Sequence, residues 1–311
     1  MSPRPLKTKP GAERSRYTPD HIETYTVDTP TPLLQFLYNA MPQRKRTNIK
    51  ELLKHNCVKA GQTVTTQFDH PLNPGDIVAV NHTREWPRFY NRRVKLIYED
   101  DDIIVINKGY GLLSMGNDRV SDGTAYSIVR DYVKWQNPAN KLFIVHRLDR
   151  DTSGLMMFAR NIQAKETLQH NWNNMVLERK YIAVVEGKVD TDQGTLRSYL
   201  VENTRYEVYS TPNPDVEGAQ LAVTRYKVLK RANGYTLLEL SLDTGRKNQI
   251  RVHMSDMQHP ISGDRKYGAK SSPIHRLALH AMTLKFAHPI TRQLMSFTTP
   301  IPTAFTSMVK G

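Results

Sequence analysis

The stretch FIVHRLDRDTSGLMMFAR, Phe143 to Arg160, decides the fold. An apolar run, Phe143-Ile144-Val145, leads into a dense polar loop, and a second apolar run, Leu155 to Ala159, leaves it. Read as strand, loop and strand, the segment has a rigid sheet present a short loop, a common way to hold a reacting group. The loop carries Asp149 and Asp151, flanked by Arg147 and Arg150. A carboxylate beside arginines stays ionised and is able to act as base or nucleophile. The same residues also suit a salt-bridged structural turn, with Thr152-Ser153-Gly154 as its turn chemistry.

Outward from this loop the pattern is of strands and hairpins. VKLIYEDDDIIVINK, Val94 to Lys108, predicts two strands about an acidic turn at Asp100 to Asp102. Gly123 to Gln136 and Asn161 to Met175 predict helices, and Glu178 to Gly187 a strand. AVTRYKVLKRANGYTLLELSL, Ala222 to Leu242, is two runs joined by Asn233-Gly234, a hairpin signature. Strands outnumber helices, so the larger domain is expected to be α+β with a mostly antiparallel, mixed central sheet flanked by helices and loops.

Three more segments bear groups suited to chemistry. In DTGRKNQIRVHMSDMQHPISGDRKYG, Asp243 to Gly268, Asn248 is placed to cap a helix whose face carries Ile250, His253, Met254 and Met257. Arg251 lies on a neighbouring stripe, and Arg246 and Lys247 sit near the N-terminus, where cations oppose the helix dipole and need an anion nearby. That anion is a phosphate or a carboxylate such as Asp149, unless the helix is a solvated surface one. In ERKYIAVVEG, Glu178 to Gly187, Tyr181 fits either a core aromatic or a ring stacked on a nucleobase. In RLALHAMTLKFAHP, Arg276 to Pro289, two apolar runs meet near His280. The histidines follow no metal-ligand spacing, and no metal site is expected.

Residues 27–85 predict a separate small module. A helix with apolar Ile49, Leu52 and Leu53 has Arg44, Lys45, Arg46, Lys50 and Lys54 crowded around it, and short strands follow about turns at Gly61 and Asn73-Pro74-Gly75. Residues 83–93 read as a linker. Residues 1–26 read as a flexible basic tail without a secretory apolar core, which points to a cytoplasmic protein. The whole chain, 311 residues with a net charge of +14, suggests a polyanionic partner, and no apolar run is long enough to span a membrane. The single cysteine, Cys57, excludes an internal disulfide and reads as a small buried apolar residue.

Taken together, HRLDRDTSGL, RKYIAVVEG, TGR..QIRVHM..M.HPI.GD.KYG and RLALHA..L.F.HP resemble the RluA-type family of pseudouridine synthases, in the family's order and over about Val27 to Pro302. The resemblance implies the pseudouridine synthase fold over residues 86–311. It also implies isomerisation of uridine in RNA after the base leaves its stack, with no redox change, metal or cofactor. The family's catalytic aspartate matches Asp149, its active-site tyrosine Tyr181, and the basic partner of the aspartate Arg251. Arg147 is implied to fill the gap left by the flipped base, with His146, Leu148, Arg246 and Gln249 also contacting RNA or its uridine. The N-terminal module is similar to the small αL RNA-binding module of the ribosomal protein S-four type, with Lys45, Arg46 and Lys50 on RNA. One departure stands out: where the family reads GRTHQIR or GRSHQIR, this chain has GRKNQIR. Ribosomal RNA of the large subunit is the first expected substrate and transfer RNA the second, acted on by a monomer. Two other readings fit parts of the chain: a non-catalytic RNA-binding or ribosome-assembly protein, and, from Gly109, Gly111 and Gly116 after a strand, a dinucleotide-binding oxidoreductase.

Overall fold

The computed structural model describes residues 21–61, 63–83, 85–86, 89–116 and 122–311. The chain divides into two compact units, Met1–Arg88 and Phe89–Gly311. The basic tail expected at the N-terminus lies outside the described residues as far as residue 20. Its last part is no tail, because Ile22–Thr26 is a strand.

In the first unit β1 (Ile22–Thr26), β3 (Val58–Ala60), β4 (Thr63–Val64) and β6 (Ile77–Asn81) form an antiparallel sheet in the order β1-β6-β3-β4. A short pair, β2 (Thr31–Pro32) and β5 (Pro71–Leu72), lies beside it in sequence. The turns fall at Gly61 and Gly75, both with positive φ, where no Cβ interferes. Helix α1 (Leu33–Ala40) buries Leu33 and Leu37, and α2 (Arg46–Lys54) buries Ile49 and Leu53. The opposite side of α2 leaves Lys45, Arg46 and Lys50 exposed. Cys57 is buried, as its composition suggested, and burial pushes its thiol pKa up, so it stays protonated and inert.

The second unit is built on one mixed sheet. Its strands are β7 (Val94–Glu99), β8 (Ile103–Lys108), β9 (Phe143–Ile144), β10 (Ser153–Ala159), β11 (Val176–Glu186), β12 (Gln193–Glu202), β13 (Val208–Thr211), β14 (Gln220–Ala232), β15 (Tyr235–Leu242), β16 (Leu279–Ala287) and β17 (Leu294–Thr298). The order is β13-β12-β14-β15-β11-β16-β10-β8-β7, with β17 on β16 and β9 on β10. The β14–β15 hairpin turns on Asn233 and Gly234, both at positive φ, as the primed turn of a tight hairpin demands. The predicted helix over 161–175 is two pieces, α4 (Ile162–His170) and α5 (Trp172–Met175).

Helix α3 (Ala125–Gln136) opens on a capping box between Thr124 and Ser127 and lays Val129 and Val133 on Ile104, Ile106, Met156 and Phe158. Ile103, Val105, Leu155 and Met157 point to the other face and pack with Leu168 of α4. Helix α6 (Gln249–Asp256) and α7 (Thr303–Met308) cover the β11–β15 region through Ile250, Met254 and Phe305. Strands buried on both faces explain why β8 and β10 read as continuous apolar runs rather than alternating ones.

One junction fixes the loop that carries Asp149. The pairing of β10 with β16 is parallel, the one such pairing among the described strands, and it aligns Ser153 with His280 and Gly154 with Ala281. Gly154 has φ +122°, and a Cβ there would sit 2.2 Å from the Ala281 carbonyl oxygen. Only glycine lets the two backbones approach so closely. The dinucleotide-binding reading is corrected here: β8, the strand before Gly109, is antiparallel to both neighbours, so no βαβ crevice exists at its end. No described helix is long and apolar enough to cross a membrane.

Candidate active site

Asp149 stands in the loop between β9 and β10, and the backbone on both sides of it is pinned. The Ser114 hydroxyl donates to the Leu148 carbonyl (2.6 Å) and accepts from the Leu148 N–H (3.0 Å). Lys108, at the end of β8, is fully buried and gives its ammonium to three carbonyls, Gly109 (3.0 Å), Leu112 (2.8 Å) and Arg150 (3.1 Å). Three protons meet three acceptors, which is how a buried lysine is tolerated. Burial pulls its pKa down to about 8, opposed by the charges of Asp149 and Asp151.

A narrow cleft of about 60 Å³ opens over the Asp149 carboxylate, and Arg147, Tyr181, Arg246 and Arg251 line it. Arg251 comes from α6. Its Nε and Nη2 each donate to a different oxygen of Asp264 at 2.7 Å, leaving Nη1 to approach Asp149 Oδ2 at 3.5 Å. Asp264 is 2% exposed, so the pair is a buried, bidentate one. Burial works against the charge on Arg251, but the hydrogen bonds and charge of Asp264, aided by Asp149, win and raise its pKa. Tyr267 lies under the guanidinium, 4.8 Å from ring centre to Cζ. A fixed cation thus faces Asp149 without consuming its oxygens.

Asn248 has a part the sequence did not suggest. It precedes α6 but does not cap it: its φ of 54° is left-handed and its side chain makes no capping bond. Instead its Oδ1 accepts from Arg251 Nη1 (3.1 Å) and its Nδ2 donates to the Tyr267 hydroxyl (2.9 Å). The neighbouring Lys247 pairs with Glu202 on β12. The departure from the usual motif therefore lands on the residue that steadies the guanidinium.

Tyr181 sits on β11 at a register shift and packs against two core clusters at their meeting point. Burial raises its hydroxyl pKa, Arg179 opposes and Asp149 adds to the rise, so the ring remains a neutral phenol. Arg147 is exposed and has no hydrogen bond or ion pair among the described residues, leaving its charge unspent. Arg246 lines the same cleft, with Nε on the Leu221 carbonyl at 3.1 Å.

Two expected RNA contacts are otherwise engaged. Gln249 is 2% exposed, and its amide is used up inside the protein: Oε1 accepts from Thr244 and the Arg246 N–H, and Nε2 donates to Val223 and Thr224. It fastens the start of α6 to β14. His146 does not line the cleft; its Nε2 accepts from the Met157 N–H at 2.9 Å and its ring lies against Trp172. Burial, with the Arg179 charge, pushes it down to about 3, so it is a neutral imidazole. Leu148 is buried as an apolar anchor for the loop. Lys45, Arg46 and Lys50 belong to the other unit. Asp100, Asp102 and His288 come together, but they line no part of the cleft, and Asp100 is spent on the turn, accepting from the Asp102 and Ile103 N–H groups and Tyr98.

The family profile described as RNA pseudouridylate synthase matches residues 102–256. The chain is 31% identical over 296 residues to the ribosomal large subunit pseudouridine synthase D of Pasteurella multocida (strain Pm70), covering 89% of this chain and 90% of that one. The chain belongs to the RluA-type pseudouridine synthase family. A second relative is an uncharacterized RNA pseudouridine synthase of Bacillus subtilis (strain 168), 35% identical over 255 residues, which cover 81% of this chain and 88% of that protein. Among solved structures, human RNA pseudouridylate synthase domain containing 4 is similar at a TM-score of 0.56 and 25% identity, over 69% of this chain and 91% of that one. As an RNA pseudouridine synthase, the chain is an isomerase, and the non-catalytic reading is set aside.

Sequence reasoning missed Lys108, Ser114, Asp264 and Tyr267 as supports of this synthase's site. For Lys108 a signal existed: it continues the inward face of Ile104 and Ile106, where an apolar residue is expected. Asp264 and Tyr267 stand in the quoted GD.KYG, a signal to which no role was attached.

Proposed function

We propose that this pseudouridine synthase isomerises specific uridines of large-subunit ribosomal RNA, acting on a flipped-out base with Asp149 as its essential group. One observation carries the assignment of Asp149. It is the carboxylate at the floor of a cleft where a fixed guanidinium, a neutral tyrosine ring and an unspent arginine converge. A ribonucleotide drawn from its stack costs a few kcal/mol, roughly, and needs something in the vacancy and something on the base. Arg147 takes the first role and Tyr181 the second. Asp149 then acts on the ribose, by attack at the anomeric carbon or by removal of the 2′ proton. The bond from uracil N1 to the sugar breaks, the base rotates, C5 bonds to the sugar and gives up its proton to solvent, and N1 takes up a proton from solvent, so the composition is unchanged. Arg251 keeps the carboxylate oriented for that step.

The ribosomal substrate is supported by the relative from Pasteurella multocida, whose printed name assigns it to the large ribosomal subunit. It is also supported by the exposed cations Lys45, Arg46 and Lys50 of the N-terminal unit, which in this reading is an αL-type module gripping RNA beside the target. The enzyme works in the cytoplasm as a monomer. The test is release of tritium from carbon 5 of uridine in large-subunit ribosomal RNA, with transfer RNA in parallel. Release from the ribosomal pool and none with Asp149→Asn, which should still bind RNA, is the expected result. Turnover by Asp149→Asn would remove that residue from the chemistry, and release from transfer RNA alone would move the substrate.

A further inference from the structure

Beside the reacting cleft lies a second, wider hollow of about 630 Å³, lined by Tyr110, Asp151, Arg251, Arg265, His275 and Arg276 among others. Its size falls in the range of about 300–1,000 Å³ typical of sites that hold small ligands. Arg251 lines both spaces, and Asp149 and Asp151, two residues apart on one loop, line one each. We propose that this hollow is a subsite for the RNA nucleotide adjacent to the target uridine, which stacks its base on Tyr110 and sets its phosphate against Arg265 and Arg276.

The charge in the hollow supports an anionic strand. Both of its acids are already matched: Asp264 by Arg251, and Asp151 by Arg150, whose Nε and Nη2 reach its two oxygens at 3.2 Å. Two of its three arginines, Arg265 and Arg276, meet no acid among the described residues. Arg265 and His275 are exposed, with no side-chain partner among the described residues. Arg276 donates Nη2 to Ser153 and Nε to the Leu277 carbonyl, which holds the guanidinium in place and leaves Nη1 over. Its Cζ lies 4.3 Å from the centre of the Tyr110 ring. Tyr110 is 53% exposed, so one face of a ring already backed by a cation is open to the solvent. Single-stranded nucleic acid is gripped by this pairing of an aromatic platform with phosphate-seeking arginines. The hollow is wider than the cleft over Asp149 and has room for a neighbouring nucleotide.

The inference rests on the uridine being handled at Asp149, and the test separates the two. Tyr110→Leu and Arg265→Gln are compared with wild type for tritium release, on whichever of large-subunit ribosomal RNA or transfer RNA releases label. KM should rise about tenfold in Tyr110→Leu with kcat within about twofold, and Arg265→Gln should flatten the dependence of binding on salt by about one counterion. Asp149→Asn is also irradiated with short-wave ultraviolet light on both RNAs, whether or not label is released. A cross-link on the peptide carrying Tyr110 is expected, to a nucleotide next to the uridine that wild type modifies. An unchanged KM in both variants together with no cross-link at Tyr110 overturns the subsite. A cross-link there with turnover persisting in Asp149→Asn would instead keep the subsite and overturn the role given to Asp149.

Discussion

Asn248 accepts a hydrogen bond from Arg251 at 3.1 Å while donating one to Tyr267 at 2.9 Å, so a single amide ties the guanidinium to the ring beneath it. A hydrogen bond to a charged group is worth about 1.5–3 kcal/mol. Asn248→Ala should therefore lower kcat about tenfold, with KM for RNA little changed, because the amide's Oδ1 and Nδ2 are engaged by Arg251 and Tyr267. Steady-state tritium release checks both constants.

Asp264 acts on the same arginine from the other side. Removing one member of a buried ion pair strands its partner and costs about 3–5 kcal/mol. Asp264→Asn should lower the thermal midpoint and cut single-turnover rates by at least tenfold. Arg251→Met together with Asp264→Leu should recover much of the lost stability and none of the activity, which thermal unfolding and turnover measured side by side would register.

Lys108 offers a pH signature. Its pKa is about 8 in the folded chain against 10.5 for a free lysine. Between these values the unfolded chain holds the extra proton, so stability rises with pH there. Below pH 8 the burial penalty is fully present. Wild type should thus gain on Lys108→Met in denaturant unfolding as pH goes from 8 to 10.5. Turnover should follow the opposite course, since a neutral amine has two protons for three carbonyls and the loop bearing Asp149 loosens.

His146 carries the reverse experiment at acid pH. With its pKa near 3 against 6.5, it stays neutral in the fold while the unfolded chain takes up a proton below pH 6.5. Stability should fall as pH drops from 6.5 toward 3, and less steeply in His146→Gln. Nitrogen chemical shifts should show a neutral ring protonated on Nδ1 at pH 5, because Nε2 is the acceptor for Met157. A charged ring at that pH would refute the structural role.

How much of this was readable beforehand follows from the range of each interaction. The Asp149 loop, the Asn233-Gly234 hairpin and the α+β sheet are written in neighbouring residues, where periodicity and turn chemistry act. What escaped notice depends on contacts across the sheet. Gln249 reads as an available amide until β14 is seen to take its Nε2 and the Thr244–Arg246 turn its Oε1, and Asn248 reads as a cap until its backbone turns left-handed. His146 sits in the motif beside Arg147, yet it faces the backbone of the following strand. Charged residues near a reacting loop are recognisable as a group; which of them meet substrate and which hold the others is decided by the tertiary fold.

The close approach of Gly154 to Ala281 joins the Asp149 loop to a strand whose residues come 127 positions later, as in the contact of Ser153 with His280. Chain emerges from the ribosome in order, and contacts so distant in sequence are slow to close. A nascent chain that has made HRLD but not yet β16 therefore has its carboxylate without a frame. The loop that carries Asp149 is thus framed late, when almost the whole polypeptide has been synthesised.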